Sequence, residues 1–301
     1  MFIYIFYFMR YEMNDAVKTK FFESLKTSLI GCEGGNVNAS LWFCGIEWGE
    51  WGESRNKDNI QNGLFQNQNK IPSVTNKWME NNNITLSNSF DSSIAKIVLS
   101  WKGKKWLNDD NSVNEKIISC YSIGEEAKLY RSDGDTFKLN LFPLAAKSVP
   151  TWTEEHYTKT GCFLKSEYYG KCIEHRFPQL LELKGVSTPK VIVCIGRGFI
   201  NEYKYAFWGE YHVKDVEIKN VELNDIKIKN VELTREVTDK SNPKIQIQIH
   251  KHKDLQFPII VETPFFGYYK YCVKDPLDFQ AIGKYISDNL LKYPDVPVIN
   301  P

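Results

Sequence analysis

Four short runs rich in apolar residues predict the buried strands of this chain. They cover residues 40–44, 137–141, 190–195 and 258–262. The first run has no polar alternation, which is typical of a parallel strand that is covered on both faces. Segments with helical periodicity separate the runs, so we expect right-handed crossovers between neighbouring parallel strands. The pattern predicts a three-layer α/β fold with a central, mostly parallel four-stranded sheet.

Helical spacing of apolar residues predicts the segments between these strands. Residues 14–31 and 165–183 both have this period, although Pro178 interrupts the second segment and predicts a break there. Asp91 and Asp275 precede two further amphipathic segments and are candidate N-caps. The glycine-rich stretch 31–35 predicts a loop before the first strand.

Residues 211–257 depart from this α/β rhythm. The hexapeptide at 218–223 recurs word for word at 228–233, and apolar and charged residues alternate through both copies. Such alternation is strand-like, and two copies are too few for a solenoid. We therefore predict an inserted antiparallel β-ribbon at about 213–250, which projects from the core because it has only one apolar face.

The chain divides into three predicted parts. An N-terminal helical segment covers residues 1–37, the α/β domain covers 38–290, and a short tail covers 291–301. The apolar opening is too short to span a bilayer and lacks the flanking features of a signal peptide. Met9 and Met13 are alternative starts. The sequence favours a cytoplasmic protein that has no contact with membranes.

Charge and cysteine content exclude several classes of function. The formal net charge is +1, which argues against a chain-wide electrostatic grip on nucleic acid but leaves a local basic face open. The 7 cysteines are scattered without a CxxC pair. They fit thiols in a reducing compartment better than a disulfide framework, zinc site or iron–sulfur site. We expect neither a metal nor a cofactor.

The carboxyl ends of the four predicted strands carry the candidate chemistry. They deliver Gly45–Gly49, Asn140–Pro143, Gly196–Gly198 and Thr263–Gly267 to one edge of the sheet. Ligands of open parallel sheets bind at that edge, so Glu47 is a candidate for chemistry. The competing interpretation is a solvated glutamate in a glycine-rich turn.

The order of these strand ends resembles the uracil-DNA glycosylase superfamily. The segment 45–49 is similar to the first motif, G-x-(D/N/E/A)-P-(Y/G), which supplies the water-handling residue, and 139–143 is similar to the second, whose asparagine reads the base. The segments 191–196 and 263–265 are similar to the apolar-glycine turn and to the His-Pro-Ser-like loop that enters DNA. The four motifs are short, so their order and spacing over about residues 38–290 carry the resemblance.

Three positions depart from the family pattern. Trp48 stands where the family has proline, Glu47 stands where aspartate or asparagine is usual, and Thr263 occupies the histidine place of the last motif. Threonine cannot supply the imidazolium that would stabilise the leaving group, and the five histidines lie elsewhere without recognisable catalytic spacing. These departures indicate that the target need not be uracil.

The resemblance implies a role for each matching residue. Glu47 would position water and steady a cationic sugar, Asn140 would read the base edge, and Thr263 would complete the catalytic set. The implied substrate-binding residues are Gly45, Ile46, Trp48, Gly49, Trp51, Phe65 and Phe142. The candidate DNA-binding residues are Arg197, Pro264, Phe265, Phe266, Tyr268 and Lys270.

Two functions from different classes remain open. The first is a monofunctional, monomeric DNA glycosylase that hydrolyses the N-glycosidic bond of a flipped-out pyrimidine, for repair or for defence against phage with modified DNA. The alternative is a catalytically inactive nucleic-acid- or protein-binding module with the same fold, because fold alone does not fix function.

Overall fold

The computed structural model describes residues 17–23, 25–26, 32–47, 89–122, 129, 131, 133–144, 150–209, 216–223, 245–266 and 272–293. Residues 17–23 and 25–26 are helical. The further helices are α1 (Ser89–Trp101), α2 (Glu115–Ser122), α3 (Glu154–Thr160), α4 (Lys165–His175), α5 (Phe177–Ser187), α6 (Ile200–Trp208) and α7 (Pro276–Tyr285), followed by a π-helical turn (Ile286–Leu290). None of these described helices has both the length and the apolar composition that a bilayer span requires.

In the described part of the chain, one mixed sheet of seven strands forms the centre. The strands are β1 (Cys32–Gly35), β2 (Leu41–Gly45), β3 (Thr136–Asn140), β4 (Val191–Ile195), β5 (Val216–Glu222), β6 (Gln246–His252) and β7 (Ile259–Thr263). Their order is β1-β3-β2-β4-β7-β6-β5. β2 pairs in parallel with β3 and β4, and β4 pairs in parallel with β7. The α/β class is confirmed, but the predicted four-stranded central sheet with a separate ribbon is not: the described strands form one mixed sheet of seven.

Helices cover both faces of this sheet, and alternate residues of β2 show why. Leu41 and Phe43 lie in a core with α1 and α7, on what we call the first face. Trp42 and Cys44 lie in a second core with α4, α5 and α6, on the second face. Because successive strand residues point to opposite faces, burial on both sides favours apolar residues at every position of a strand. The run at 41–44 has this composition.

The predicted ribbon belongs to the sheet. β5 and β6 pair antiparallel as expected, but β6 also pairs with β7. Ile247 and Ile249 of β6 are fully buried in the core of the first face. The prediction that the ribbon projects from the core was therefore wrong. β6 satisfies the backbone groups that β7 would otherwise leave unpaired at its outer edge. The second copy of the repeat, at 228–233, lies outside the described residues.

The glycine-rich stretch predicted as a loop contains a strand. β1 pairs antiparallel with β3, and its register shifts between Cys32 and Gly34. Gly34 and Gly35 have φ angles of 122° and 113°, a region that favours glycine. A β-carbon at Gly35 would overlap the carbonyl oxygen of Thr136. Glycine here permits a bulged edge strand rather than breaking the strand, so the segment 1–37 is not wholly helical.

The break predicted at Pro178 is confirmed, because α4 ends at His175 and α5 begins at Phe177 with proline in its first turn.

The start of the predicted tail is attached to the domain. The indole nitrogen of Trp101 donates to the carbonyl of Leu291 at 2.6 Å. The rings of Trp101 and Tyr293 meet edge to face at 4.8 Å between centroids.

Candidate functional site

The ends of four parallel strands meet at one edge, which we call the carboxyl edge. Gly45 of β2 is in register with Asn140 of β3, and Ile195 of β4 is in register with Thr263 of β7. Backbone pairing continues past β2, because the amide of Phe142 donates to the carbonyl of Ile46 at 2.8 Å. The sheet thus holds the first two predicted motifs side by side.

Glu47 lies just beyond β2, and its side chain is only 6% exposed. Lys165 Nζ donates to Oε1 at 2.8 Å, and the hydroxyl of Tyr169 donates to Oε2 at 3.4 Å. The two donors are four residues apart, on one face of α4. Burial raises the pKa of the Glu47 carboxyl, and the hydrogen bond and charge of Lys165 oppose that rise without cancelling it. Glu47 is therefore not the solvated turn residue of the competing interpretation.

Aromatic rings hold Tyr169 in place beside Glu47. Phe142 stacks on Tyr169 with 4.0 Å between ring centroids and 24° between planes, and Phe199 meets both rings at their edges. Burial and the charge of Glu47 both raise the pKa of the Tyr169 phenol, so it stays protonated and donates. Phe142 was predicted to contact substrate. It is instead fully buried with one ring face covered, because it packs behind Tyr169.

Asn140 is almost completely buried on the first face of the sheet. A β-carbon at Gly45 would overlap its side-chain oxygen, and Phe90 of α1 lies on the same side. The guanidinium of Arg176 donates to the backbone oxygens of Asn140 and Leu141 at 2.9 and 2.8 Å. The end of β3 is therefore fixed both by its side chain and by its backbone.

Asn140 pairs in the sheet with Gly45, two residues before Glu47, but the side chains of Glu47 and Asn140 contact different layers. The Glu47 carboxylate binds α4, which packs on the second face. Lys138, two residues before Asn140 on the same face of β3, binds Asp91 of α1 at 2.9 Å. The Asn140 side chain lies on that α1 side of the sheet. The structure brings together the backbones of these two predicted catalytic residues but not their polar groups.

Thr263, the third predicted catalytic residue, is fully buried at the end of β7. Its hydroxyl donates to the carbonyl of Cys194 at 3.4 Å. A β-carbon at Gly196 would lie 2.7 Å from Ile46 and 2.8 Å from the ring of Phe265. Ile46, predicted to bind substrate, is buried in this tight packing between the ends of β2, β4 and β7.

Four of the six predicted DNA-binding residues lie in the described part of the chain, and they divide by exposure. Arg197 is exposed after β4, and its guanidinium donates to the carbonyl of Gln246. Phe265 is 41% exposed after β7. Pro264 is buried, and Phe266 packs in the core against Phe279, with 5.3 Å between ring centroids. Arg197 and Phe265 can meet a partner at this edge, whereas Pro264 and Phe266 are structural.

Several predicted contacts fall in the segments that follow β2 and β7 in the sequence. They lie outside the described residues: Trp48, Gly49, Trp51, Phe65, Tyr268 and Lys270. Among the residues that the structure describes, no group of three or more His, Cys, Asp or Glu side chains could hold a metal ion.

Sequence reasoning missed the groups that surround the candidate residues. Lys165 and Tyr169 lie more than 100 residues from Glu47 in the chain, so no local motif links them. His250 and Glu262 form a second buried pair, with 3.1 Å between Nε2 and Oε2. The Nδ1 atom of His250 has no hydrogen-bond partner in the described part of the chain. Only the unexpected pairing of β6 with β7 brings these two residues together.

Comparison of the chain with protein-family models gives no match, and comparison with curated proteins gives none. The resemblance to uracil-DNA glycosylases therefore depends on the four strand-end motifs and their order. The chemistry of the site must be argued from its own side chains.

Proposed function

We propose that this protein is a DNA glycosylase, a divergent member of the uracil-DNA glycosylase superfamily. It would hydrolyse the N-glycosidic bond of a flipped-out pyrimidine, including pyrimidines that carry a modification. The observation that carries the proposal is the Glu47 carboxyl, buried at the carboxyl edge with a raised pKa. Carboxyls perturbed by burial at the ligand-binding edge of a sheet are typical of catalytic positions.

Glu47 suits the hydrolysis of a glycosidic bond. A carboxylate with a raised pKa accepts a proton more readily, so it can activate the attacking water. Its negative charge also stabilises the oxocarbenium-like sugar that develops as the base leaves. Lys165 and Tyr169 hold the two carboxylate oxygens in a fixed orientation, which removes a reorganisation cost during the reaction.

Asn140 and the exposed strand ends supply the recognition in this proposal. An asparagine amide offers one donor group and one acceptor, which match the edge of a pyrimidine. Arg197 would contact a phosphate, and Phe265 would fill the space left in the duplex by the flipped nucleotide. These last two residues follow adjacent parallel strands, so one stretch of DNA can reach both.

One observation favours a binding module without catalysis. The Glu47 carboxylate already binds Lys165 and Tyr169, while the Asn140 side chain lies on the other face of the sheet. A site that needs both groups on one base would require movement at the ends of β2 and β3. In the second candidate function, the exposed Arg197 and Phe265 bind nucleic acid, and the ion pair of Glu47 with Lys165 only stabilises the carboxyl edge.

Base release from defined duplexes separates the two functions. The full chain is incubated with duplexes that contain uracil, a thymine mismatch or a modified cytosine, and free bases and abasic sites are measured. The glycosylase proposal expects release of at least one base by wild-type protein and strongly reduced release by Glu47→Gln. Glu155→Gln is the matched control, because Glu155 pairs with Lys159 at 2.8 Å on an exposed helix face. Binding without release of any base supports the second function, and absence of binding contradicts both.

A further inference from the structure

Arg176 is a buried cation at the carboxyl edge of the sheet. It lies between α4 and α5 and is only 1% exposed. Its acceptors in the described part of the chain are neutral, the backbone carbonyls of Asn140 and Leu141. Burial raises the pKa of the neighbouring Cys172 thiol, so that group supplies no negative charge. Burying a guanidinium without a charged partner costs stability, so stability alone does not explain this arginine.

The guanidinium binds the end of β3 beyond its pairing with β1. The described pairing of these two strands ends at Leu139. Arg176 Nη2 donates to the carbonyl of Asn140 at 2.9 Å, and Nε donates to the carbonyl of Leu141 at 2.8 Å. The planar fork of an arginine can hold two acceptors at once in a fixed geometry. Arg176 therefore supplies donors to two successive carbonyls that lie past the end of the strand pair.

Each of these carbonyls belongs to a peptide group that also binds β2. The Asn140 carbonyl shares its peptide group with the Leu141 amide, which donates to the carbonyl of Gly45 at 2.9 Å. The Leu141 carbonyl shares its peptide group with the Phe142 amide, which donates to the carbonyl of Ile46 at 2.8 Å. A trans peptide points its carbonyl and its amide in opposite directions. Two hydrogen-bonded chains therefore run from the guanidinium across β3 to β2, and we call this arrangement the Arg176 clamp.

We propose that Arg176 is a positioning residue of the proposed glycosylase, which holds the ends of β2 and β3 in a fixed relation. This inference depends on the proposed function, because the clamp joins the segments of its two predicted catalytic residues. One chain passes through the peptide group of Asn140, and the other ends on the carbonyl immediately before Glu47. Arg176 thus sets the spacing between the residue that reads the base and the residue that activates water. It does so without touching the substrate.

The charge and shape of the guanidinium both contribute to the stiffness of the clamp. Hydrogen bonds from a charged donor are stronger than those between neutral groups, and bonds in a chain polarise one another. A displacement of about 1 Å in a reacting group can lower a rate about 100-fold. Arg176→Lys keeps the positive charge but lacks the planar fork, so it cannot hold both carbonyls in the same geometry. We therefore expect this variant to loosen both chains without removing the charge.

Amide hydrogen exchange tests the clamp without any catalysis. In the wild-type full chain, the amides of Leu141 and Phe142 should exchange as slowly as those of the central strand β4. In Arg176→Lys, these two amides should exchange at least about 10-fold faster, while exchange in β4 stays as in wild type. Equal acceleration across the whole sheet overturns the inference. Fast exchange of both amides in wild type also overturns it, so the test holds even where Arg176→Lys fails to fold.

The kinetics of base release test the positioning role. Arg176→Lys should lower kcat about 10–100-fold and change KM by less than about 3-fold, because the contacts with substrate are unaltered. In a Glu47→Gln background the same substitution should lower the remaining rate less, because the carboxylate to be positioned is absent. Arg131→Lys is the matched control and should keep the wild-type kcat. Arg131 makes a two-point contact with Asp133 at the protein surface, at 2.8 and 3.2 Å.

The two measurements separate this inference from the proposed function. Local acceleration of exchange in Arg176→Lys, without base release from any duplex by wild type, contradicts only the glycosylase. Base release with an unchanged kcat in Arg176→Lys overturns the positioning role and leaves the glycosylase in place. An equal loss of rate in the wild-type and Glu47→Gln backgrounds overturns it too, because Arg176 would then act independently of Glu47.

Discussion

The side-chain oxygen of Asn140 occupies the space that a β-carbon of Gly45 would need. The two residues are in register on adjacent parallel strands, at the edge where Glu47 follows. Residue 45 must therefore be small for Asn140 to adopt this position. The glycine that the sequence suggested as a substrate contact has a steric role in fixing the end of β3.

We expect Gly45→Ala to lower the free energy of unfolding by about 1–3 kcal/mol, because the added methyl group overpacks a buried site. Urea denaturation measures the change. Gly170→Ala is the control, since nothing lies within 4 Å of its β-carbon position in α4, and it should gain roughly 0.5–1 kcal/mol. Adding Asn140→Ala to Gly45→Ala should recover part of the loss. A Gly45→Ala protein as stable as wild type would contradict the steric role.

The periodicity of apolar residues and the amino-acid composition were enough to predict the α/β class and the break at Pro178. Burial on both faces favours a strand that is apolar throughout, so the runs that became β2 and β4 stand out from the rest of the chain. Less could be predicted at the edges of the sheet. β1 contains glycines that permit a bulge in the strand. Because glycine has a low strand propensity, the same glycines led to the prediction of a loop.

The site was only partly predictable, for a related reason. Glu47 could be proposed because it follows a recognisable strand, and position after a strand is a local property. Its partners Lys165 and Tyr169 depend on how α4 packs across the sheet, which no local pattern encodes. The same limit applies to Phe142, whose burial depends on its stacking with Tyr169.

Two isoleucines of the β5–β6 pair should respond very differently to truncation. Ile249 is fully buried in the core of the first face, whereas Ile218 is 53% exposed. Ile249→Ala should cost about 2–5 kcal/mol of unfolding free energy, and Ile218→Ala should change it by less than about 0.5 kcal/mol. Chemical denaturation of both variants checks this. Equal, small effects would mean that β6 contributes little to the core.

The proposed chemistry predicts a kinetic effect at Glu47. Glu47→Gln keeps the shape of the side chain but removes the charge that stabilises a cationic sugar. The rate of base excision should fall roughly 100–1000-fold, or about 3–4 kcal/mol of transition-state stabilisation. DNA affinity, measured by fluorescence anisotropy, should be retained because phosphate contacts dominate it. Excision at the wild-type rate would remove Glu47 from the mechanism.

The raised pKa of Glu47 predicts how stability changes with pH. Burial makes the folded protein bind this proton more tightly than the unfolded chain does. The contribution of this proton to the unfolding free energy is complete below the pKa of glutamate in the unfolded chain. It is lost as the pH rises through the pKa of Glu47 in the folded protein. The unfolding free energy of wild type relative to Glu47→Gln should therefore fall as the pH rises. Urea titrations of both proteins, at pH values from below the unfolded pKa to above the folded pKa, test this prediction. If the stability of wild type relative to Glu47→Gln grew with pH, the ion pair with Lys165 would dominate over burial.

Adjacent phenylalanines give the sharpest test of the proposal that the carboxyl edge binds DNA. Phe265 is exposed after β7, whereas Phe266 packs between Phe90 and Phe279, with 5.6 and 5.3 Å between ring centroids. If Phe265 contacts unstacked bases, Phe265→Ala should weaken DNA binding by about 1–3 kcal/mol, with little loss of stability. Phe266→Ala should do the reverse, costing about 3–5 kcal/mol of stability while its folded fraction binds DNA normally. Anisotropy and urea denaturation on the same preparations measure both quantities. Unchanged DNA affinity in Phe265→Ala would show that this aromatic residue does not contact DNA.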